Sequence, residues 1–292
     1  MEPMKHQKFS IFISHPSEFL TNCQPHGDGL IAFNFINQLA QRGHTLHVAA
    51  PATAIEGELP SNIKIYPVKP WTSFSTLNPL EYIIKVRQIF NQIQQNYPID
   101  IIHQLNPVNP GLSYSLLVTE LPLVLGPFWV SWRIEVDPPK LKTSLLGGMS
   151  SYLVQPLIRI CSHQQQKKAS ALLVSTPAAL TELYDSKSSK NKIHPITPGI
   201  DTTLFSPVIN EQTIQKEPIS ILFLSHVEPR KGVFTLLDAF EIVNKYLDSC
   251  QLIIGGAGTA LEEVKQRISA MSCGSKISLL GKVERDQVPQ LM

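Results

Sequence analysis

Short β-prone runs alternate with amphipathic helical segments along this 292-residue chain, and this alternation limits its fold more than any other feature. The first run, Phe9–Ser14, precedes a segment, Leu30–Arg42, whose apolar residues recur at helical spacing. Strands that alternate with helices in this way pair in parallel and are covered by helices on both faces. The sequence therefore predicts an α/β fold built from doubly wound, Rossmann-like sheets.

The alternation is interrupted once, between residues 195 and 216, where prolines lie among polar residues. We expect an N-terminal Rossmann-like domain over 1–197, an interdomain linker over 198–216 and a second domain over 217–292. The last segment has 76 residues, whereas free-standing domains have about 100–150. The second domain is therefore expected to be incomplete.

Composition excludes several classes of protein. Charged residues make up 16% of the chain and the formal net charge is +2, and no Lys/Arg run indicates a nucleic-acid groove. No apolar stretch approaches the roughly 20 residues of a membrane helix. The four cysteines are far apart and form no CxxC pair, which favours unpaired thiols over a zinc site. These features predict a cytoplasmic protein without a metal site or a nucleic-acid partner.

Two turns between a strand and a helix are the strongest candidates for ligand binding. The loop Pro25–Gly29 brings glycines and a helix N-terminus together, which favours an anion or a hydroxyl-rich substrate, although a tight turn explains the spacing equally well. Arg230 and Lys231 precede Gly232 at the start of a later helix. Two cations there oppose the helix dipole, so the sequence predicts that they bind a diphosphate.

Two further features carry weaker signals. The turn Gly255–Gly258 lacks the third glycine of a dinucleotide fingerprint, and is more typical of a close-packed turn beside a ligand cleft. His103 is expected to end a strand, where polar residues line the crevice of an open α/β sheet, but a structural histidine is an equal alternative. The sequence shows no Ser/His/Asp set and no paired catalytic carboxylates.

Taken in order, these motifs resemble the retaining glycosyltransferases of family 4. Their two Rossmann-like domains face each other across a cleft, an arrangement called GT-B. The similar segments are GDGL to AAP (27–51), DIIHQLNPVNPG (100–111), PGIDTTLF (198–205), PRKGVFTLLDAF (229–240), LIIGGAG (252–258) and ISLLGKV (277–283).

The resemblance implies a role for individual residues. Lys231 would bind the donor diphosphate, and Arg230 would supply the second charge because His226 stands where the family has arginine. The donor-binding set would comprise His226, Arg230, Lys231, Gly256, Gly258, Gly281, Lys282 and Val283. The acceptor and phosphate loop would comprise Gly27, Asp28, Gly29 and Asn106, and His103 is the candidate for a catalytic role.

The resemblance also implies a reaction. The enzyme would transfer a sugar from a nucleotide sugar to a glycan or lipid-linked acceptor, with retention and without a metal cofactor, in cell-envelope or exopolysaccharide synthesis. Peripheral contact with the inner face of the cell membrane would bring it to such an acceptor. The carboxylates that hold the donor sugar would lie beyond Met292, so a C-terminally truncated chain is expected. The alternatives are a non-catalytic fragment, half of a split enzyme completed by another chain, and a nucleotide-sugar epimerase of the same architecture.

Overall fold

The structure is a computed structural model that describes residues 7–17, 19–24, 26–70, 79–105, 111–130, 145–184, 190–206 and 218–292. The chain divides into two compact units, Met1–Gly199 (unit 1) and Ile200–Met292 (unit 2). In these ranges no helix is both long and apolar enough to cross a bilayer. The linker boundaries at 198 and 216 stay a prediction.

Unit 1 is built on a parallel sheet of seven strands. Its elements are β1 (Ser10–Ser14), β2 (Leu20–Thr21), α1 (Gly27–Gln41), β3 (Thr45–Ala50), β4 (Thr53–Ala54), β5 (Ile63–Pro67), α2 (Pro79–Gln94), β6 (Ile101–Leu105), β7 (Leu123–Phe128), α3 (Leu145–Lys168), β8 (Ala171–Val174) and β9 (Ile193–Pro195). The strand order is β5-β3-β1-β6-β7-β8-β9, and β2 pairs with β4 in a separate two-stranded ladder. Because every pair is parallel, the carboxyl ends of the strands meet at one edge of the sheet.

Residues of β1 show why both faces of this sheet are covered. Ile11 and Ile13 belong to a core that includes Ile36 of α1, whereas Phe12 belongs to a second core that includes Phe90 of α2. Successive side chains of a strand point to opposite faces, so a continuously apolar strand must be buried on both sides. The rings of Phe12 and Phe90 meet edge to face, with centroids 5.2 Å apart, and burial of each ring stabilises the fold by about 2–3 kcal/mol.

Unit 2 repeats the pattern on a smaller scale. Its elements are β10 (Ile219–Leu224), α4 (Val233–Asn244), β11 (Cys250–Gly255), α5 (Leu261–Ala270), β12 (Ile277–Gly281) and a short α6 (Val288–Leu291). The strands form a parallel sheet in the order β10-β11-β12. Its core joins Leu237 and Phe240 of α4 to Leu252 of β11 and Val264 of α5. Both units therefore confirm the predicted α/β class with parallel, helix-covered strands.

Candidate functional site

In unit 2, the loops that follow β10, β11 and β12 are held together by backbone hydrogen bonds. The amide of Val227 donates to the carbonyl of Ala257 over 3.0 Å, and the carbonyl of Val227 accepts from Ala260 over 3.1 Å. The amide of Gly256 donates to the carbonyl of Gly281 over 2.7 Å. These bonds bring together the loops that carry His226, Gly256, Gly258 and Gly281, at the sheet edge where α/β proteins bind ligands.

Close packing between two of these loops explains their glycines. A Cβ atom on Gly256 would lie 1.8 Å from the carbonyl oxygen of Ser225, and the residue has a φ of +139°. A Cβ atom on Gly258 would lie 2.3 Å from the carbonyl oxygen of Val227. A side chain at either position would therefore push the two loops apart.

The cations predicted at this edge are not equivalent. Arg230 and Lys231 lie in a short 3-10 turn, Pro229–Lys231, just before α4. The Nε atom of Arg230 lies 2.5 Å from a carboxylate oxygen of Glu228, and Lys282 makes an ion pair of 2.7 Å with Glu284. Lys231 is exposed, and no carboxylate of the described residues lies within 4.0 Å of its Nζ atom. Sequence spacing did not show that Glu228 pairs with Arg230, and the binding of a diphosphate by Arg230 and Lys231 stays a prediction.

The start of α4 adds backbone donors beside Lys231. Gly232 precedes the helix with a left-handed φ of +79° and provides no side chain to cap it. The first helical hydrogen bond runs from the amide of Leu236 to the carbonyl of Gly232. The amides of residues 233–235 therefore lack helical acceptors, as in every helix start, and carry the positive end of the helix dipole. Lys231 and this helix start form a site suited to an anion.

In unit 1, the predicted loop Pro25–Gly29 is partly helical, which corrects the sequence-based boundary. Helix α1 begins at Gly27, and the Nδ1 atom of His26 accepts a hydrogen bond from the amide of Gly29 over 3.1 Å. This cap satisfies an amide that would otherwise be unpaired, so the helix starts three residues before Leu30. Gly27, Asp28 and Gly29 therefore form its first turn.

The two glycines of this turn have different environments. A Cβ atom on Gly29 would lie 2.4 Å from the carbonyl oxygen of Phe19, so the chain before β2 packs directly on the helix start. Gly27 is exposed, and no atom lies within 4 Å of the position of its Cβ. Packing therefore excludes a side chain at Gly29, whereas there is room for one at Gly27.

His15 is a residue that sequence reasoning missed. It follows β1 directly, is fully buried, and its Nε2 atom lies 3.2 Å from the carbonyl oxygen of Phe19. Its pKa is lowered by burial, an effect that Asp28 opposes. A polar residue immediately after an apolar strand was the signal that could have identified it, and the same signal was applied to His103 instead.

His103 does not end its strand, which corrects the predicted position. β6 continues to Leu105, and the Nε2 atom of His103 donates to the carbonyl of Gly126 over 2.9 Å. Burial lowers its pKa to about 4, and its ring packs edge-on against Phe35 with centroids 5.3 Å apart. This arrangement gives His103 a structural hydrogen bond between strands, and its catalytic role stays a prediction. Asn106 lies outside the described residues.

No group of three or more His, Cys, Asp and Glu side chains that could hold a metal occurs in the part of the chain that the structure describes. At the edge of the unit 2 sheet the described charged side chains include instead Lys231 and the ion pairs Arg230–Glu228 and Lys282–Glu284.

Comparison with known proteins follows this division into two units. The model of the family described as Glycosyltransferase Family 4 matches residues 27–204, and that of Glycosyl transferases group 1 matches residues 207–292. A D-inositol 3-phosphate glycosyltransferase of Jonesia denitrificans is 26% identical over 156 residues, which cover 47% of this chain and 37% of that protein. The match thus spans little more than a third of the length of this curated relative.

Solved structures are similar over nearly the whole chain. The Anabaena protein HepE, in complex with UDP and glucose, has 17% identity and a TM-score of 0.59, covering 97% of this chain and 71% of its own. WaaG, a glycosyltransferase involved in lipopolysaccharide biosynthesis, has 17% identity and a TM-score of 0.63, covering 96% of this chain and 72% of its own. At this identity the similarity shows the fold alone, namely two Rossmann-like domains of the kind found in GT-B glycosyltransferases.

Proposed function

We propose that this chain, which belongs to glycosyltransferase family 4, transfers a sugar from a nucleotide-sugar donor to a hydroxyl group of a glycan or lipid-linked acceptor. Unit 2 would bind the donor and unit 1 the acceptor. The transfer would proceed with retention at the sugar C1 atom and would use no metal cofactor. Cell-envelope or exopolysaccharide synthesis is the proposed setting, at the inner face of the cell membrane, where a nucleotide sugar and a lipid-linked acceptor can meet.

One observation supports this proposal most directly, namely the anion site formed by Lys231 and the start of α4. It lies in the segment that connects β10 to α4, next to the hydrogen-bonded loops after β11 and β12. The diphosphate of a nucleotide sugar carries two negative charges that need such a site. The nucleotide base and ribose would lie along the loops of Gly256, Gly258 and the turn Gly281–Val283.

These groups suggest how unit 2 would promote the reaction. In the proposed step the bond between sugar C1 and the diphosphate oxygen breaks, and C1 forms a bond to the acceptor oxygen, whose proton is lost. Negative charge grows on the leaving diphosphate as the bond breaks. Lys231 and the amides at the start of α4 would stabilise that charge more strongly than the charge of the bound donor, which is the condition for catalysis.

A lysine substitution tests the donor site. We expect Lys231→Gln to weaken UDP binding about 10- to 100-fold, because a charge-assisted hydrogen bond contributes about 1.5–3 kcal/mol. Lys245→Gln is the matched control, since Lys245 is also an exposed lysine and lies just beyond the opposite end of the 12-residue α4, about 18 Å away. Calorimetric titration with UDP, and with uridine as a ligand without phosphates, measures the effect.

The outcomes separate the alternatives. Equal UDP affinity of the two variants would contradict the assignment of the diphosphate site. Release of the nucleotide diphosphate from UDP-, GDP- or ADP-sugars only when an acceptor is present supports transfer. Interconversion of the nucleotide sugar without an acceptor identifies an epimerase. Binding of nucleotide without turnover favours a non-catalytic fragment, and turnover restored by a complementing C-terminal chain identifies a split enzyme.

A further inference from the structure

Unit 1 contains a group of buried polar side chains between its sheet and α3 that the donor site does not involve. Its members, called here the polar seam, are Gln104 of β6 and Ser162, Gln165 and Gln166 of α3. All four side chains are at most 5% exposed. Gln104 is next to the carboxyl end of β6, between Ser14 of β1 and Leu125 of β7 in the sheet register.

The hydrogen bonds of the polar seam are incomplete. The Nε2 atom of Gln165 donates to Oε1 of Gln104, and Oε1 of Gln166 accepts from the amide of Tyr184 over 3.0 Å. Four buried polar atoms then have no partner among the described residues, and they are Nε2 of Gln104, Oγ of Ser162, Oε1 of Gln165 and Nε2 of Gln166. If the side-chain amides of both Gln104 and Gln165 are flipped by 180°, the oxygen and nitrogen atoms swap places. The same number of polar atoms then remains without a partner.

This arrangement is unfavourable as it stands. Each unpaired buried group lowers the equilibrium constant for the closed packing, relative to a state in which the group is hydrogen-bonded, by a factor of about 10. Native proteins contain few such groups. The lining residues leave no space for a water molecule that could satisfy them. A small displacement of α3 away from β6 and β7 would therefore expose groups that gain hydrogen bonds when they become accessible.

The chemistry of the free atoms indicates what would enter. They comprise amide donors, an amide acceptor and a hydroxyl group, and none of the seam's lining residues has an ionisable side chain. A sugar hydroxyl donates and accepts at once, so it can pair with each of these groups. A phosphate or carboxylate would find no cation among them.

We propose that the polar seam is the closed form of a subsite for the hydroxyl groups of a neutral sugar, which opens by a displacement of α3. The assignment of that sugar to the acceptor rests on the proposed function, whereas the binding itself does not. A subsite in unit 1 would hold a neutral sugar ring without contributing to the diphosphate site of unit 2.

The test replaces the central amide pair by side chains of similar shape. In Gln104→Met/Gln165→Met, the amide groups are lost while the volume is kept. The matched control is Gln38→Met/Gln41→Met, because Gln38 and Gln41 form a comparable side-chain pair at 3.1 Å on the exposed surface of α1. Saturation-transfer NMR on the full chain measures binding of methyl α-glucopyranoside and of myo-inositol.

We expect the wild-type protein and the exposed control to bind at least one of these sugars, and the seam variant to bind it at least tenfold more weakly. We also expect the midpoint of urea unfolding of the seam variant to equal or exceed that of wild type, because its unpaired groups are gone. Ser162→Ala removes one free hydroxyl with little change of volume and should weaken sugar binding even if the double variant does not fold.

The proposal would be overturned if wild type, Ser162→Ala and the seam variant bound the sugar with equal affinity. It would also be overturned if the folded wild-type chain bound no sugar. UDP binding measured on the same samples keeps the two proposals apart. For the wild-type chain, absence of UDP binding with sugar binding present contradicts only the donor site, and absence of sugar binding with UDP binding present contradicts only the subsite.

Discussion

Acid should destabilise unit 1 through His103, and the size of the effect follows from its burial. The imidazole is buried between strands and donates through Nε2 to Gly126. Its pKa falls from the ordinary value of 6.5 to about 4 in the folded protein. As the pH falls below 6.5 the unfolded chain takes up a proton that the folded chain does not, so stability present above 6.5 is lost on acidification.

The magnitude follows from the interval between these two pKa values. At about 1.4 kcal/mol per pH unit, the fall from 6.5 to about 4 corresponds to a loss of about 3 kcal/mol between pH 7.5 and pH 4. This is a large fraction of the 5–15 kcal/mol that stabilises a typical domain. His15 and His47 are also buried with lowered pKa values, so the wild-type protein alone cannot isolate His103.

Comparison with His103→Gln isolates the effect. Glutamine can still donate to Gly126 but does not titrate, and both proteins keep His15 and His47. Urea unfolding followed by tryptophan fluorescence at several pH values reports on unit 1, because all three tryptophans precede residue 200. The wild-type protein should lose about 3 kcal/mol more than the variant between pH 7.5 and 4. Parallel pH profiles for the two proteins would show that His103 is protonated in the folded state, which would refute the reasoning.

Two pairs of glycine substitutions test the packing at the two sheet edges. Gly29→Ala places a Cβ 2.4 Å from a carbonyl oxygen and should destabilise unit 1 by about 2–4 kcal/mol. Gly27→Ala should change the free energy of unfolding of unit 1 by less than about 1 kcal/mol. Urea unfolding measures both effects. Gly256→Ala places a Cβ 1.8 Å from the Ser225 oxygen and should raise amide exchange throughout the unit 2 sheet. Gly281→Ala, which has open space at its Cβ but a φ of +68°, should cost only about 1–2 kcal/mol and should therefore raise amide exchange in the same sheet less than Gly256→Ala does. Similar effects within either pair would contradict the distances on which they rest.

Some site features could be read from residue order and others could not. The turn before α4 was predicted as a ligand site because cations precede a helix start, and the structure places Lys231 there. The pairing of Arg230 with Glu228 could not be predicted, because it depends on the side-chain geometry of a 3-10 turn. The sequence pointed to His103 as the histidine at a strand end and missed His15 for a related reason. It did not show that β6 continues to Leu105 and does not end at His103.

The polar seam is the clearest case of a feature that the sequence did not reveal. Gln104 and Gln165 are 61 positions apart, and the glutamine-rich stretch around Gln165 resembles an exposed helical face when read alone. Only the packing of α3 against β6 and β7 brings these amides together and excludes water from them. Contacts of this kind depend on the register of neighbouring strands and on the rotation of a helix about its axis.

The sequence by itself determined the α/β class and the repeated strand–helix order, because hydrophobic periodicity and turn residues act over a few neighbouring positions. The family followed from the resemblance of its ordered motifs to those of family 4. Among the described residues, the tertiary structure decided which of Arg230 and Lys231 has a carboxylate partner, which histidine is buried at a strand end and which glycines have no room for a side chain. Those properties arise from distances between segments that are far apart along the chain, and a distance of a few tenths of an ångström decides between a hydrogen bond and a clash.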